Sequence, residues 1–177
     1  IKSEARFVAE PDGHAFASEL LGQIMDMNAG KFLDDDLQHA SPTHFCVGVA
    51  GYPEKDFAAP NMKTDLKYLK LKVDMGAQFI VTQMFFDNQR YLDFVRLCRE
   101  AGITVPIIPG IKPITTKTQL SVLPTIFNCN LPEELTEEID RCKDNKEVKE
   151  VGIRWAVQQC KELIKHQVPS LHFYSMG

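Results

Sequence analysis

Helical patterns and short, continuously apolar runs alternate along this 177-residue chain. Apolar residues recur at helical spacing from His14 to about Met27, from Leu66 to Val73, and from Tyr91 to Cys98. Apolar runs follow them at 45–50, 79–83 and 105–109, and a fourth run covers 171–174. Runs without polar alternation are typical of strands buried on both faces of a parallel sheet. The alternation therefore predicts an α/β fold with four parallel strands and right-handed crossovers.

Two parallel architectures fit this pattern, the open doubly wound sheet and the TIM (β/α)8 barrel. The Gly-rich phosphate loop that favours the first does not occur. Polar or turn residues follow each predicted strand instead, and in a barrel they would meet at the carboxyl-terminal rim, where sites in that fold are built. They are Gly51-Tyr52, Gln83, Pro109-Gly110 and Tyr174. A complete barrel takes about 250 residues and eight strands, so in that architecture residues 1–177 would form one partial barrel domain with four of the strands.

Composition argues against several classes of protein. The net charge is −4 and 44% of the residues are apolar, so the basic stripe required by nucleic acids is missing. No run of about 18 apolar residues spans a bilayer, and the charged start IKSEARF lacks the pattern of a secretory signal. Five cysteines without a C-x-x-C pair, and histidines without metal-ligand spacing, predict neither a disulfide framework nor a metal site. We expect a cytoplasmic protein without nucleic-acid or membrane partners.

Gln83 is the most informative single residue, because it ends an apolar run. An amide presents donors and an acceptor together, so it can pair bidentately with the edge of a pterin, flavin or purine. Alternatively, Gln83 ties down a loop backbone. Phe85 and Phe86 follow it, where they can either stack on a flat ligand or pack in the core.

Two further groups of side chains carry either a binding or a structural interpretation. Asp65 and Lys72 lie seven residues apart and so share a helix face, where they could meet a ribose and a phosphate or simply face solvent. Gln119 follows the proline-rich segment VPIIPGIKPITTKTQL, which could position a substrate group or hold a tight strand-to-helix connection.

Four segments, in order, resemble methylenetetrahydrofolate reductases: GVAGYPEKD, DLKYLKLKVDMGAQFIVTQMFFD, GITVPIIPGIKPI and LHFYSM. The resemblance implies a flavoprotein oxidoreductase with a (β/α)8 barrel, acting in one-carbon metabolism and methionine biosynthesis. Such an enzyme passes a hydride from NADH or NADPH to FAD and then to 5,10-methylenetetrahydrofolate, giving 5-methyltetrahydrofolate. A homo-oligomer is implied for the intact protein.

The resemblance also implies roles for particular residues. Gln83 falls on the glutamine that pairs with the folate pterin, and Gln119 falls on a second folate contact. Asp56 stands where bacterial members often have histidine, and Tyr68 and Leu71 replace residues that are frequently polar or basic. These substitutions make Lys72 the more important cation. The positions that fall on FAD contacts are Tyr52, Asp56, Ala59, Asp65, Tyr68, Leu71 and Lys72.

Only strands five to eight of such a barrel are matched. The family's general acid, a glutamate on the first strand, is expected in the N-terminal part that this chain lacks, so the isolated chain is expected not to turn over. An alternative is a non-catalytic half-barrel that binds a ligand or self-assembles, because half-barrels expose sheet edges. A third interpretation is another barrel enzyme whose ligand carries phosphate.

Overall fold

The computed structural model describes residues 8–175, in which helices and strands alternate as far as the third strand and three helices then precede the last strand. The charged first seven residues and Met176-Gly177 lie outside that part. The described elements are α1 (Ala17–Asn28), β1 (Gly48–Gly51), α2 (Met62–Asp74), β2 (Phe79–Met84), α3 (Asn88–Glu100), β3 (Ile107–Ile111), α4 (Gln119–Phe127), α5 (Glu133–Asp140), α6 (Asn145–Lys165) and β4 (His172–Phe173).

The four strands form one parallel sheet in the order β1-β2-β3-β4. Val49 lies opposite Ile80, and Ile80 opposite Ile107, so the first three strands are in register at their centres. The short β4 pairs with the end of β3 through Gly110 and His172. The predicted parallel α/β fold is confirmed, and each described strand lies on or next to a predicted apolar run.

The start of β1 differs from the prediction, which began the strand at residue 45. Phe45 is exposed, and the side chain of Asn28 at the end of α1 binds both of its backbone groups. The Phe45 N–H donates to Asn28 Oδ1 at 2.8 Å, and Asn28 Nδ2 donates to the Phe45 carbonyl at 3.0 Å. Because a helix side chain satisfies these groups, sheet pairing begins only at Gly48.

Pro109 and Gly110, predicted as the turn after the third strand, lie inside β3. The register between β2 and β3 shifts after Val81, so that Met84 lies opposite Gly110. The Gly110 N–H donates to the Thr82 hydroxyl at 2.9 Å instead of to a backbone acceptor. This irregularity accommodates a proline, which cannot donate to the ladder, in a strand that has neighbours on both sides.

Side-chain caps begin three of the helices. Asn61 accepts from the Thr64 N–H before α2, and Asp87 accepts from the Gln89 N–H before α3. Asp144 accepts from two N–H groups at the start of α6, the longest described helix at 21 residues. Such caps satisfy backbone donors that have no partner within the helix. Among residues 8–175, no helix combines the length and the apolarity needed to cross a bilayer.

The helices bury their apolar faces against one side of the sheet. One cluster joins β1–β3 to α2, α3 and α6, and a second cluster packs α4, α5 and α6 around Met84 and Phe86. Phe85 is fully buried and stacks on Tyr91, with ring centroids 5.4 Å apart. The core interpretation is therefore correct for both Phe85 and Phe86, and Phe85 has no exposed surface on which a ligand could stack.

The opposite face of the sheet stays partly or fully exposed. Side chains alternate along a strand, so the neighbours of the core residues Val49, Ile80 and Ile107 point to this second face. They are Gly48, Ala50, Phe79, Val81, Gln83 and Ile108, and none of them is buried. We call this surface the inner face.

The packing of α6 against the chain after β3 can be tested at Gly152. A Cβ atom at this position would overlap the carbonyl oxygen of Ile114, so Gly152→Ala must push α6 away from the loop. We expect the free energy of unfolding to fall by at least about 2 kcal/mol. Gly22→Ala in α1 is the matched control, since its Cβ would make only an ordinary contact with Met75. That variant should gain up to about 1 kcal/mol in urea unfolding; equal effects of the two substitutions would contradict this account of the packing.

Candidate functional site

Thr82 binds the carboxyl ends of three strands together. Its hydroxyl accepts from the Gly110 N–H at 2.9 Å, and its backbone carbonyl accepts from the Tyr174 hydroxyl at 2.9 Å. Thr82 is fully buried, and burial raises the pKa of the Tyr174 phenol. A Cβ atom at residue 110 would collide with the Thr82 carbonyl, so only glycine allows β3 to approach this closely. The junction fixes the position of the next residue, Gln83.

Gln83 lies on the inner face, one residue before the end of β2. Its side-chain oxygen accepts from the N–H of Met84 at 3.1 Å. No hydrogen bond from its side-chain NH2 group to another described residue is present. The amide is thus held by its own backbone through the acceptor, while its two donors remain available to a ligand. The structural interpretation of Gln83 holds for its acceptor, and its pairing with a ligand stays a prediction.

A cavity of about 520 Å³ opens beside Gln83. Its walls come from the ends of β2, β3 and β4 and from one face of α4. Most of the lining surface is apolar, and Leu123, Phe127 and Phe173 contribute to it. Its polar side chains are Gln83, Lys112, His172, Tyr174 and Ser175. A few polar groups on an apolar wall are typical of sites for small ring ligands.

Gln119, the second predicted folate contact, holds the connection before α4. Its side-chain oxygen accepts from the N–H groups of Thr115 at 2.7 Å and Thr116 at 3.3 Å. The structural interpretation of this residue is therefore confirmed for its acceptor. Gln119 is absent from the described lining of the cavity beside Gln83, and its folate contact stays a prediction.

The predicted cofactor residues gather where β1 leads into α2. Asp65 Oδ2 accepts from the Asp56 N–H at 2.8 Å, and Asp56 Oδ1 accepts from the Ala58 N–H at 2.7 Å. Lys55 Nζ donates to the carbonyls of Asp56 and Ala59 at 2.7 and 2.6 Å. The loop thus has a fixed shape before any ligand arrives. Asp65 is a loop-holding residue, contrary to the surface-charge interpretation.

Lys72 and Tyr52 lie in the same charged, half-buried region. Lys72 Nζ is 3.4 Å from the Ala50 carbonyl at the end of β1. Burial lowers the pKa of Lys72, while the nearby carboxylates of Asp65 and Asp56 act in the opposite direction. Burial raises the pKa of Asp65, and burial followed by the charges of Asp56 and Asp65 raises the pKa of Tyr52. Such mutually shifted groups are typical of binding sites.

The outer residues of α2 are solvent exposed. Tyr68 is 57% exposed and Leu71 46% exposed. Tyr68 lies three residues after Asp65 and four before Lys72, so these three residues share one side of the helix. The side chains that face the core, Leu66 and Leu69, lie on another side.

One residue of each predicted group, Tyr52 and Gln83, lines a gap of about 10 Å³ between the β1–α2 loop and the end of β2. Tyr52 and Lys55 from the β1–α2 loop line it on one side, and Gln83 lines it with Phe127 on the other. A larger cavity of about 770 Å³ lies between α3, α6 and the chain before α5, and none of the predicted site residues lines it. The chemistry therefore concentrates at the carboxyl ends of the strands, and we call this region the rim site.

Sequence reasoning missed two contributors to the rim site. Tyr174 was recognised only as a strand-end residue, although its hydroxyl spans from β4 to β2. Lys112 was not singled out, although it lines the cavity beside Gln83 and is only 6% exposed. The available signal was a single lysine inside the otherwise apolar run IIPGIKPI.

Comparison with known proteins identifies one family. A family model described as methylenetetrahydrofolate reductase matches residues 12–177. Methylenetetrahydrofolate reductase (NADH) 1 of Arabidopsis thaliana is 38% identical over 182 aligned positions, covering 97% of this chain and 28% of that protein. Methylenetetrahydrofolate reductase 2 of Saccharomyces cerevisiae is 41% identical, covering 76% of this chain and 23% of the yeast protein.

The 5,10-methylenetetrahydrofolate reductase of Escherichia coli is 38% identical over 75% of this chain and 45% of its own length. The chain thus spans less than half of the length of these three relatives. A solved structure from Clostridium thermocellum, an uncharacterized protein that binds two copies of 5-methyl-5,6,7,8-tetrahydrofolic acid, superposes with a TM-score of 0.54. It covers 73% of this chain and 47% of that one at 15% identity, which shows a shared fold.

The junction at Thr82 predicts the effect of removing one hydroxyl. Tyr174→Phe leaves the buried Thr82 carbonyl without the hydrogen bond from β4. We expect the free energy of unfolding to fall by about 1 kcal/mol, measured by urea denaturation. Tyr68→Phe, at an exposed position, is the control and should leave stability unchanged. If both variants unfold at the same urea concentration as the parent protein, the hydrogen bond does not join these strands.

Proposed function

The chain belongs to the methylenetetrahydrofolate reductase family, and from this premise we propose that it is part of an enzyme that reduces 5,10-methylenetetrahydrofolate to 5-methyltetrahydrofolate. NADH or NADPH is the proposed electron donor and FAD the proposed carrier. The observation that carries the proposal is the proximity of Tyr52, from the predicted cofactor group, to Gln83, the predicted pterin partner: both line one gap of about 10 Å³ at the carboxyl ends of the strands. A hydride carrier and its acceptor must lie side by side.

The proposed architecture is the second half of a (β/α)8 barrel, strands five to eight. Its support is the exposed inner face, because parallel sheets are normally covered on both faces. In a closed barrel this face packs against side chains from the other strands. The chain spans less than half of its relatives, and we propose that the general acid comes from the remaining part of the barrel.

The residues of α2 and the loop before it fit FAD in their chemistry. When bound, FAD supplies the hydride transfer between nicotinamide and folate. Lys72 offers a half-buried cation to the pyrophosphate, and Asp65 has an acceptor oxygen beyond the one that binds Asp56. We propose that Tyr52, Ala59, Tyr68 and Leu71 provide the remaining contacts.

Asp56 is the residue that agrees least with a phosphate ligand, because a carboxylate repels a pyrophosphate. Its Oδ1 is engaged by the Ala58 N–H within its own loop. We propose that Asp56 shapes the loop and supports Lys72 electrostatically, while Lys72 meets the anionic group. The opposing effects of burial and of the two carboxylates on the pKa of Lys72 support this division.

Gln83 is the proposed anchor of the folate ring. Its two free donors face the inner side of the sheet, and its acceptor is within reach of a ligand once the contact with Met84 is exchanged. The apolar wall of the neighbouring cavity excludes water from the ring. Gln119 is the proposed second contact. Its side-chain NH2 group can donate to the folate while its oxygen keeps the hydrogen bonds from Thr115 and Thr116.

The exposed inner face also favours a second candidate function, a half-barrel that binds ligand or closes on a second copy without catalysis. Sedimentation of the 177-residue chain separates the two: a stable dimer that retains no flavin would favour self-assembly. For the intact reductase we propose a cytoplasmic homo-oligomer.

Lys72→Met tests the cofactor half of the proposal. Removing the cation should weaken FAD binding at least about tenfold, because charge-assisted contacts to phosphate are lost. Flavin retained after desalting of the full-length protein is the measurement. Lys67→Met is the control, since Lys67 is exposed on the same helix. Equal flavin retention in both variants would show that Lys72 does not contribute to FAD binding.

Gln83→Leu tests the folate half separately. We expect 5-methyltetrahydrofolate to bind about 10- to 100-fold more weakly, because the polar edge of its pterin ring would lose the amide and face an apolar side chain. Flavin content should stay at the parent level. The exposed Gln89 allows the same substitution at the start of α3 as a control. Unchanged folate affinity in Gln83→Leu, measured by calorimetry, would contradict the assignment.

A further inference from the structure

Lys112 is a buried lysine directly after β3. Only 6% of the residue is exposed, and it lines the cavity of about 520 Å³ together with Gln83 and Tyr174. No hydrogen bond or ion pair joins its ammonium to another residue in the range 8–175. Lysine is rarely this buried without a partner. Its ammonium is not itself a buried unpaired atom, so it still contacts solvent.

The described walls of the cavity contain no counter-ion for this ammonium. None of the described lining residues is an aspartate or a glutamate. The acceptor oxygen of Gln83 already binds the Met84 N–H, and the Tyr174 hydroxyl donates to the Thr82 carbonyl. The remaining wall is largely apolar, with Leu123 fully buried and Phe127 partly buried beside it. A positive charge therefore faces a space of ligand size in which the described chain offers little to balance it.

We propose that Lys112 is a ligand-binding residue of the rim site, whose ammonium donates to a negatively polarised or charged oxygen of the folate that Gln83 anchors. The proposal rests on the proposed function. It adds a positively charged contact, from Lys112, to the contact that the Gln83 amide makes. Two oxygens of that ligand have the required chemistry, the ring carbonyl of the pterin and the carboxylates of the glutamyl tail. Either oxygen would give the ammonium a charge-assisted hydrogen bond in the complex.

The experiment compares Lys112→Met with the parent in the full-length protein carrying its flavin. Methionine keeps the length of the side chain and removes the charge. Isothermal titration with 5-methyltetrahydrofolate should show affinity reduced at least about tenfold. Lys161→Met is the matched control, since Lys161 is exposed on α6 and outside the described lining of the cavity, and it should bind as the parent does.

A second titration with 6-methyltetrahydropterin, which lacks the glutamyl tail, identifies the oxygen. Weakened binding of both compounds in Lys112→Met would assign the ammonium to the ring carbonyl. Weakened binding of the folate alone would assign it to a tail carboxylate. Parent-like affinity of Lys112→Met for the folate would overturn the proposal and leave the proposed function standing. Absence of folate binding by the parent protein would overturn both.

Thermal unfolding without folate separates a binding role from a structural one. An ammonium with no acceptor in residues 8–175 contributes no stability, so Lys112→Met should melt at the parent's temperature or above it. Reduced affinity together with unchanged or raised melting temperature is the expected signature. A large fall in melting temperature, or failure of Lys112→Met to fold, would make Lys112 a structural residue and refute the proposal.

Discussion

The candidate site depends on the close approach of β2, β3 and β4 around Thr82. Its hydroxyl and its carbonyl each accept one hydrogen bond, from Gly110 and from Tyr174, and each bond crosses to a different strand. Neither contact would form if residue 110 carried a side chain. Gln83 follows Thr82 directly, and Lys112 follows β3. The junction at Thr82 therefore fixes the positions of the Gln83 amide and the Lys112 ammonium. The positions of these polar groups thus come from backbone geometry deep in the sheet.

The rim site has two chemically different halves. At the end of β1, charged side chains lie close together and hold a loop whose backbone groups are already satisfied by Lys55, Asp56 and Asp65. At the ends of β2–β4, a mostly apolar cavity contains a few polar groups, Gln83 and Lys112 among them. Charged surroundings suit the phosphates and ribose of a dinucleotide, and the apolar cavity suits a ring. Our proposal places hydride transfer above the carboxyl ends of β1 and β2, where these two halves adjoin.

The sequence predicted the parallel arrangement of the strands, since periodicity reports which faces of an element are buried. It did not predict where β1 and β3 begin and end. The Asn28 side chain binds the Phe45 backbone in place of a neighbouring strand. A register shift between β2 and β3 allows Pro109 to lie inside β3. Both effects come from distant parts of the chain. Of the site, type and spacing left Gln83, Asp65 and Lys72 with both a binding and a structural interpretation, and their proposed roles came from the family resemblance. Lys112 was missed because its burial depends on the packing of the fold, which periodicity does not report.

The central claim is that the rim site passes electrons from a nicotinamide to a folate through bound flavin. The most direct measurement is the visible absorption of the full-length protein under anaerobic conditions, first as purified, then with NADH or NADPH, then with 5,10-methylenetetrahydrofolate. The account predicts a flavin spectrum that is bleached by the nicotinamide and restored by the folate, with 5-methyltetrahydrofolate formed in equal amount. A protein that binds no flavin, or whose reduced flavin is not reoxidised by the folate, would contradict it.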